Sequence, residues 1–82
     1  MHEFINDPID VVVSFSQNRV IPKRMRWNEK NYDIKTINLV HRAKEGTKQI
    51  FYFSVSDLSN YFKLKLDPER LEWHLVELYT DG

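Results

Sequence analysis

The chain has 82 residues, of which 41% are hydrophobic and 29% charged, with 12 basic and 12 acidic side chains and no cysteine. This length allows one hydrophobic core, so we expect a single small domain over residues 1–82. Disulfides and thiolate metal ligands are excluded, and no apolar run approaches the ~20 residues that cross a bilayer, so we expect a cytoplasmic protein with no membrane partner.

The first half of the chain alternates apolar and polar residues with a period of two, which is typical of half-buried strands. The first predicted strand covers residues 9–16 and the second covers residues 20–27. Pro22 cannot donate a hydrogen bond to a neighbouring strand, so we expect the second strand to begin at an edge or a bulge. The third strand runs from residue 32 to about 41, and a change of parity predicts a bulge near residues 35–36.

The second half continues this pattern, with strands predicted at 49–56 and at 61–66. The last segment, 71–79, is predicted as a sixth strand. It also fits an amphipathic helix over about 68–79, with Asp67 as N-cap and Pro68 in the first turn. We therefore predict an all-β fold, a six-stranded antiparallel meander forming a small, partly open barrel, with an α+β fold ending in that helix as the alternative.

The charges are sorted along the chain although they sum to zero. Residues 1–18 carry three acidic and no basic side chains, residues 19–48 carry nine basic against three acidic, and residues 66–82 carry five acidic against one basic. A basic block of this kind is typical of a surface that binds a polyanion. Alternatively, acidic strands lie beside basic ones, where opposite charges paired across strands stabilise a sheet.

Five basic residues of the second and third strands are the candidate nucleic-acid-binding residues: Lys23, Arg24, Arg26, Lys30 and Lys35. Basic side chains attract phosphates, and nearby Trp27 or Tyr32 would stack on bases. Two other interpretations compete with this one. The basic residues form the solvated outer face of a hairpin, where they also discourage edge-to-edge aggregation. The two aromatic rings belong to the core.

Patterns that carry catalysis or bind metals do not occur in the sequence. Its three histidines, His2, His41 and His74, have no partner at a metal-ligand spacing, and no phosphate-loop or nucleophile-elbow spacing is present. We therefore predict no catalytic residue, no metal and no cofactor, and interpret the chain as a non-enzymatic binding module. The alternative is a protein-interaction or homodimerisation module that uses the edge of the C-terminal strand.

Several motifs resemble a small bacterial β-domain family of unknown activity, found free-standing or as a C-terminal appendage of Y-family DNA polymerase-like proteins. They are INDPIDV at 5–11, PKRMRW at 22–27, YFKL at 61–64 and WHL at 73–75. Met25 stands where the family usually has an aromatic residue. The resemblance implies a strand around Trp73 and a role near DNA metabolism, and it assigns no functional residue.

Overall fold

The computed structural model describes residues 1–80 and places them in one antiparallel sheet, with no helix in that range. Its seven strands are β1 (His2–Ser16), β2 (Arg19–Trp27), β3 (Lys30–Asp33), β4 (Thr36–Glu45), β5 (Lys48–Ser56), β6 (Asn60–Asp67) and β7 (Glu72–Thr80). Across the sheet they follow the order β3-β2-β1-β7-β6-β5-β4. Over the described residues, no helix is available to span a membrane.

The predicted all-β antiparallel fold is confirmed, whereas the six-stranded barrel is only roughly right. The sheet is not closed, and the predicted third strand is divided into β3 and β4 by Ile34 and Lys35. The Ile34 N–H donates to the Lys23 carbonyl and the Lys35 N–H donates to the Ser56 carbonyl, both at 2.9 Å. This two-residue linker therefore crosses from β2 to β5 and joins the two edge regions of the sheet at one point.

A bulge lies beside Pro22, as the sequence predicts. Val12 pairs with Arg24 and Val13 pairs with Pro22, so Lys23 is the extra residue of β2. The pairing of β2 with β3 begins only at Arg24. Pro22 is buried at a position that does not pair with β3. Its missing N–H therefore removes no hydrogen bond between β2 and β3.

The C-terminal segment is a strand, and the predicted helical alternative is wrong. Asp67 does not cap a helix; its carboxylate accepts hydrogen bonds from the N–H groups of Glu69 and Arg70, at 3.1 and 3.3 Å, within a turn. The positive φ of Leu71, 57°, ends that turn before β7 begins. Pairing of β7 with β6 and β1 supplies the hydrogen bonds that a helix would have made internally.

A second bulge explains why this segment has helix-like spacing. Lys63 pairs with Glu77 and Leu64 pairs with Leu75, so Val76 is an extra residue of β7. The parity of the strand changes there, and Leu75 and Leu78 both contact the core although they are three residues apart. An apolar spacing of three is also the spacing of one helix face.

One face of the sheet, here called the inner face, holds the core. Its buried residues are Ile9, Met25, Phe53, Val55, Phe62, Leu64, Leu66 and Leu75. Tyr32 of β3 meets Phe62 of β6 edge to face, with ring centroids 5.4 Å apart. Because these two strands are four positions apart in the sheet order, the sheet must curl around its core. The opposite, outer face carries the polar side chains that alternate with the core residues.

Candidate functional site

The structure leaves all five predicted binding residues exposed but does not gather them on one face. Arg24 and Arg26 project from the outer face of β2, on either side of the buried Met25. Lys30 is directly opposite Trp27 and therefore shares the inner-face side of the β2–β3 hairpin. The remaining two lie at irregular positions, Lys23 in the β2 bulge and Lys35 in the linker before β4.

Acidic residues lie beside the two arginines of the outer face. Arg24 Nε donates to Asp33 Oδ1 at 2.8 Å, and this hydrogen bond holds the pKa of Asp33 below its usual value. Arg26 lies opposite Asp10 of β1. Because the side chains of Arg24 and Asp33 are 55% and 56% exposed, their ion pair stabilises the fold little and leaves the other guanidinium N–H groups accessible.

Trp27 and Tyr32 pack against the core, which confirms the core interpretation of these rings. The indole Nε1–H of Trp27 donates to Asp7 Oδ2 at 2.8 Å, and Tyr32 rests against Phe62. Both rings are half-buried on the inner-face side of the sheet. They are therefore not placed beside Arg24 and Arg26 as a base-stacking surface.

The unpaired positive charge of the described residues lies in the two edge regions of the sheet, which the linker joins. Seven of the twelve basic side chains make no ion pair within residues 1–80: Arg19, Lys23, Arg26, Lys30, Lys35, Arg42 and Lys44. All seven are exposed, and all belong to β2, β3, the linker and β4, here called the basic strands. Sequence reasoning missed Arg19, Arg42 and Lys44, because ion pairing between distant segments is not visible in the sequence.

The C-terminal strand has no free edge over its described residues. β7 pairs with β1 on one side and with β6 on the other, so the predicted association through a β7 edge is wrong. The free edges of the sheet are β3 and β4. β4 is ten residues long, and its apolar residues Leu39 and Val40 are 61% and 51% exposed to solvent. A partner strand would therefore add at β4 rather than at β7.

A groove of about 930 Å³ crosses the outer face of β4–β7, and sequence reasoning did not predict it. This outer groove is lined by Leu39, His41, Tyr52, Tyr61, Lys63 and Tyr79, among others. In the sequence Tyr52, Tyr61 and Lys63 are simply the members of their alternations that lie opposite the core residues. The sequence indicates this groove only through its aromatic residues, Tyr52, Tyr61 and Tyr79. Together they give the outer face more apolar surface than a solvated face requires.

Lys63 lies at the centre of the outer groove. Its Nζ is 3.3 Å from Glu77 Oε2 and 5.0 Å from the centroid of the Tyr52 ring. Glu77 also contacts His2 Nε2 at 2.8 Å through Oε1, and the His2 ring stacks on Tyr79 with centroids 4.0 Å apart. Burial raises the pKa of Glu77, but the hydrogen bonds to His2 and Lys63 together lower it by more than burial raises it. The pKa of Glu77 therefore lies below its usual value of 4.5.

The three histidines do not form a metal site. His2 and His41 line the outer groove, and His74 lies on β7 opposite Lys65. In the part of the chain that the structure describes, no three His, Cys, Asp or Glu side chains come together in a way that would hold a metal ion.

No protein-family model matches the chain, and no curated protein or solved structure matches it significantly.

Proposed function

We propose that the chain is a non-enzymatic binding module that binds nucleic acid through the basic strands. The residues concerned are Lys23, Arg24, Arg26, Lys30 and Lys35, together with Arg19, Arg42 and Lys44. The observation that supports this proposal is that all unpaired basic side chains of residues 1–80 lie on β2, β3, β4 and the linker between them, and that none lies on β1, β5, β6 or β7. The resemblance to domains appended to polymerase-like proteins favours DNA as the partner.

A protein of zero net charge attracts a polyanion only through a local excess of positive charge. The molecule measures 38 × 27 × 23 Å, whereas charges in solution are screened over about 8 Å at physiological ionic strength. Acidic side chains farther than this from a phosphate on the basic strands therefore do not cancel its attraction to them, whereas Asp10 and Asp33 lie beside Arg26 and Arg24 and offset part of it. Each phosphate that is neutralised releases bound counterions, which makes the affinity dependent on salt.

The test is a salt titration of binding to fluorescent single-stranded and double-stranded oligonucleotides, followed by anisotropy. We expect binding that weakens steeply between about 50 and 200 mM salt. In Arg26→Gln, and more in Lys23→Gln with Arg26→Gln, we expect lower affinity and a salt slope that falls by about one for each phosphate that is no longer neutralised.

Arg70→Gln is the matched control, because Arg70 is 67% exposed and lies outside the basic strands. Its ion pair with Glu72 is long, at 4.0 Å, and exposed, so losing it should cost little stability. It removes the same charge as Arg26→Gln but should leave binding unchanged. Absence of binding at low salt, or equal losses of affinity in the two variants, would contradict the proposal.

Self-association along β4 is the second candidate function, and the free β4 edge with exposed Leu39 and Val40 favours it. It predicts a dimer in size-exclusion chromatography with light scattering. Val40→Lys would place a charge on this edge and should return the protein to a monomer. The matched control is Val12→Lys, which changes a 61% exposed residue on β1, a strand with a neighbour on each side, and should leave the mass unchanged. A strict monomer across the concentration range would contradict this candidate.

A further inference from the structure

The outer groove holds aromatic side chains that the core does not use. Tyr61 is 55% exposed and Tyr79 is 45% exposed, and the two are directly opposite each other on β6 and β7. Tyr52 is opposite His41 of β4, with ring centroids 6.4 Å apart. Rings packed for stability alone would be on the inner face, where the core is. These are on the outer face and line an open groove.

The aromatic residues form two pairs on either side of a lysine. Tyr61 lies opposite Ser56, which is four residues from Tyr52 along β5, so the two pairs are about 13 Å apart. Lys63 lies between them, directly opposite Ser54. A spacing of this size suits two or three nucleotides, which is the number of bases that aromatic residues stack on other single-strand-binding sheets.

We propose that the outer groove is a stacking site for unpaired bases of single-stranded nucleic acid. This inference rests on the proposed function and adds to it the form of nucleic acid that is bound. Aromatic rings stack on any base, because every base has a π-face. In a duplex the base faces are already occupied by neighbouring bases, so the groove selects for a single strand.

The charges inside the groove favour a flat, largely uncharged group there. The charge of Lys63 is paired with that of Glu77, and the centre of the groove consequently lacks the excess of positive charge that an isolated anion would need. The Lys63 ammonium has further N–H groups for a phosphate between two stacked bases. The groove therefore complements the basic strands, which supply the phosphate contacts.

The groove and the basic strands are continuous in the fold. The N–H of Lys35 donates to the carbonyl of Ser56, and Ser56 pairs with Tyr61. The linker that begins β4 thus lies at the Tyr61 end of the groove. β4 itself contributes Leu39 and His41 to the groove, whereas Arg42, opposite Phe51, projects from the other face of the same strand. A strand whose bases enter the groove can therefore place an adjoining phosphate against Lys35.

The test measures binding of one single-stranded oligonucleotide and its duplex to the whole chain and to variants of the groove. Tyr61→Ala should weaken single-strand binding by about 5- to 150-fold, the range for removing the aromatic ring under one base, and should leave duplex binding unchanged. Tyr61→Phe keeps the ring and should retain single-strand binding. The matched control is Phe15→Ala, which removes a 72% exposed ring that does not line the groove and should change neither affinity.

The results separate this inference from the proposed function. If Lys23→Gln with Arg26→Gln weakens binding but Tyr61→Ala does not, the groove inference is overturned and the basic strands remain the binding surface. If the unmodified chain binds no oligonucleotide at low salt, both fall. Because Tyr61 is mostly exposed, Tyr61→Ala should fold, and circular dichroism of each variant checks this. Aromatic NMR signals of Tyr52 and Tyr79 that shift with the single strand and not with the duplex would support the groove directly.

Discussion

The Trp27 side chain joins two parts of the fold that the sequence separates by twenty residues. Its ring packs against the core at the end of the β2–β3 hairpin, and its Nε1–H donates to Asp7 Oδ2 at 2.8 Å. Asp7 follows the β1 bulge, where Asn6 has a φ of 116°. A half-buried indole N–H needs a partner, and here that partner fixes the hairpin against the irregular part of β1.

Replacing Trp27 tests this contact. Trp27→Phe keeps an aromatic ring but removes the donor, and we expect it to lower the free energy of unfolding by about 1 kcal/mol beyond the loss due to the smaller ring. Chemical denaturation followed by circular dichroism measures this. Trp73→Phe is the control, because it removes the same atoms from an indole that makes no side-chain hydrogen bond within residues 1–80. Equal destabilisation in the two variants would show that the Asp7 hydrogen bond contributes nothing.

At the scale of the strands, the sequence predicts best where pairing is regular. In β6 the residues Phe62, Leu64 and Leu66 are buried as their alternation indicates, since β6 has a neighbour on each side and its inner face is covered along its length. The seventh strand could not be predicted. The break at Ile34 and Lys35 depends on hydrogen bonds to Lys23 and Ser56, which are distant in the sequence, and alternation alone does not distinguish a break from a bulge.

In the candidate site, too, the properties set within one strand could be predicted from the sequence, and those set by the order of the strands could not. Exposure of Arg24 and Arg26 follows from their alternation with apolar residues and could be predicted. Which lysines and arginines lack an acidic partner depends on strand order. Lys65 of β6, for example, reaches across β5 to Glu45 at 2.9 Å. The outer groove likewise exists only once β4–β7 lie side by side, so no single segment predicts it.

At the scale of the whole molecule, ion pairs connect strands that are distant in the chain. Glu77 of β7 is held by Lys63 of β6 and His2 of β1, and Asp67 at the end of β6 pairs with Lys48 of β5 at 2.7 Å. The hydrogen bond from Lys48 is the largest cause of the lowered pKa of Asp67. Lys65 lowers the pKa of Glu45 in the same way. Together these pairs make the stability of the sheet sensitive to acid.

The expected pH dependence follows from the direction of these shifts. Each carboxyl group has a lower pKa in the folded than in the unfolded chain, so the unfolded chain binds protons first as the pH falls. The stabilisation is therefore fully present above the usual values of 4.5 for Glu77 and 3.8 for Asp67, and it is lost as the pH falls through the lower folded values. We expect a melting temperature that is nearly constant from pH 7 to about 5 and then decreases.

Glu77→Gln should flatten this decrease in melting temperature. Glu69→Gln is the control and should not flatten it, because Glu69 is exposed and has no ion pair within residues 1–80. Identical pH profiles for Glu77→Gln and the unmodified chain would show that the contacts of Glu77 with Lys63 and His2 do not stabilise the folded sheet.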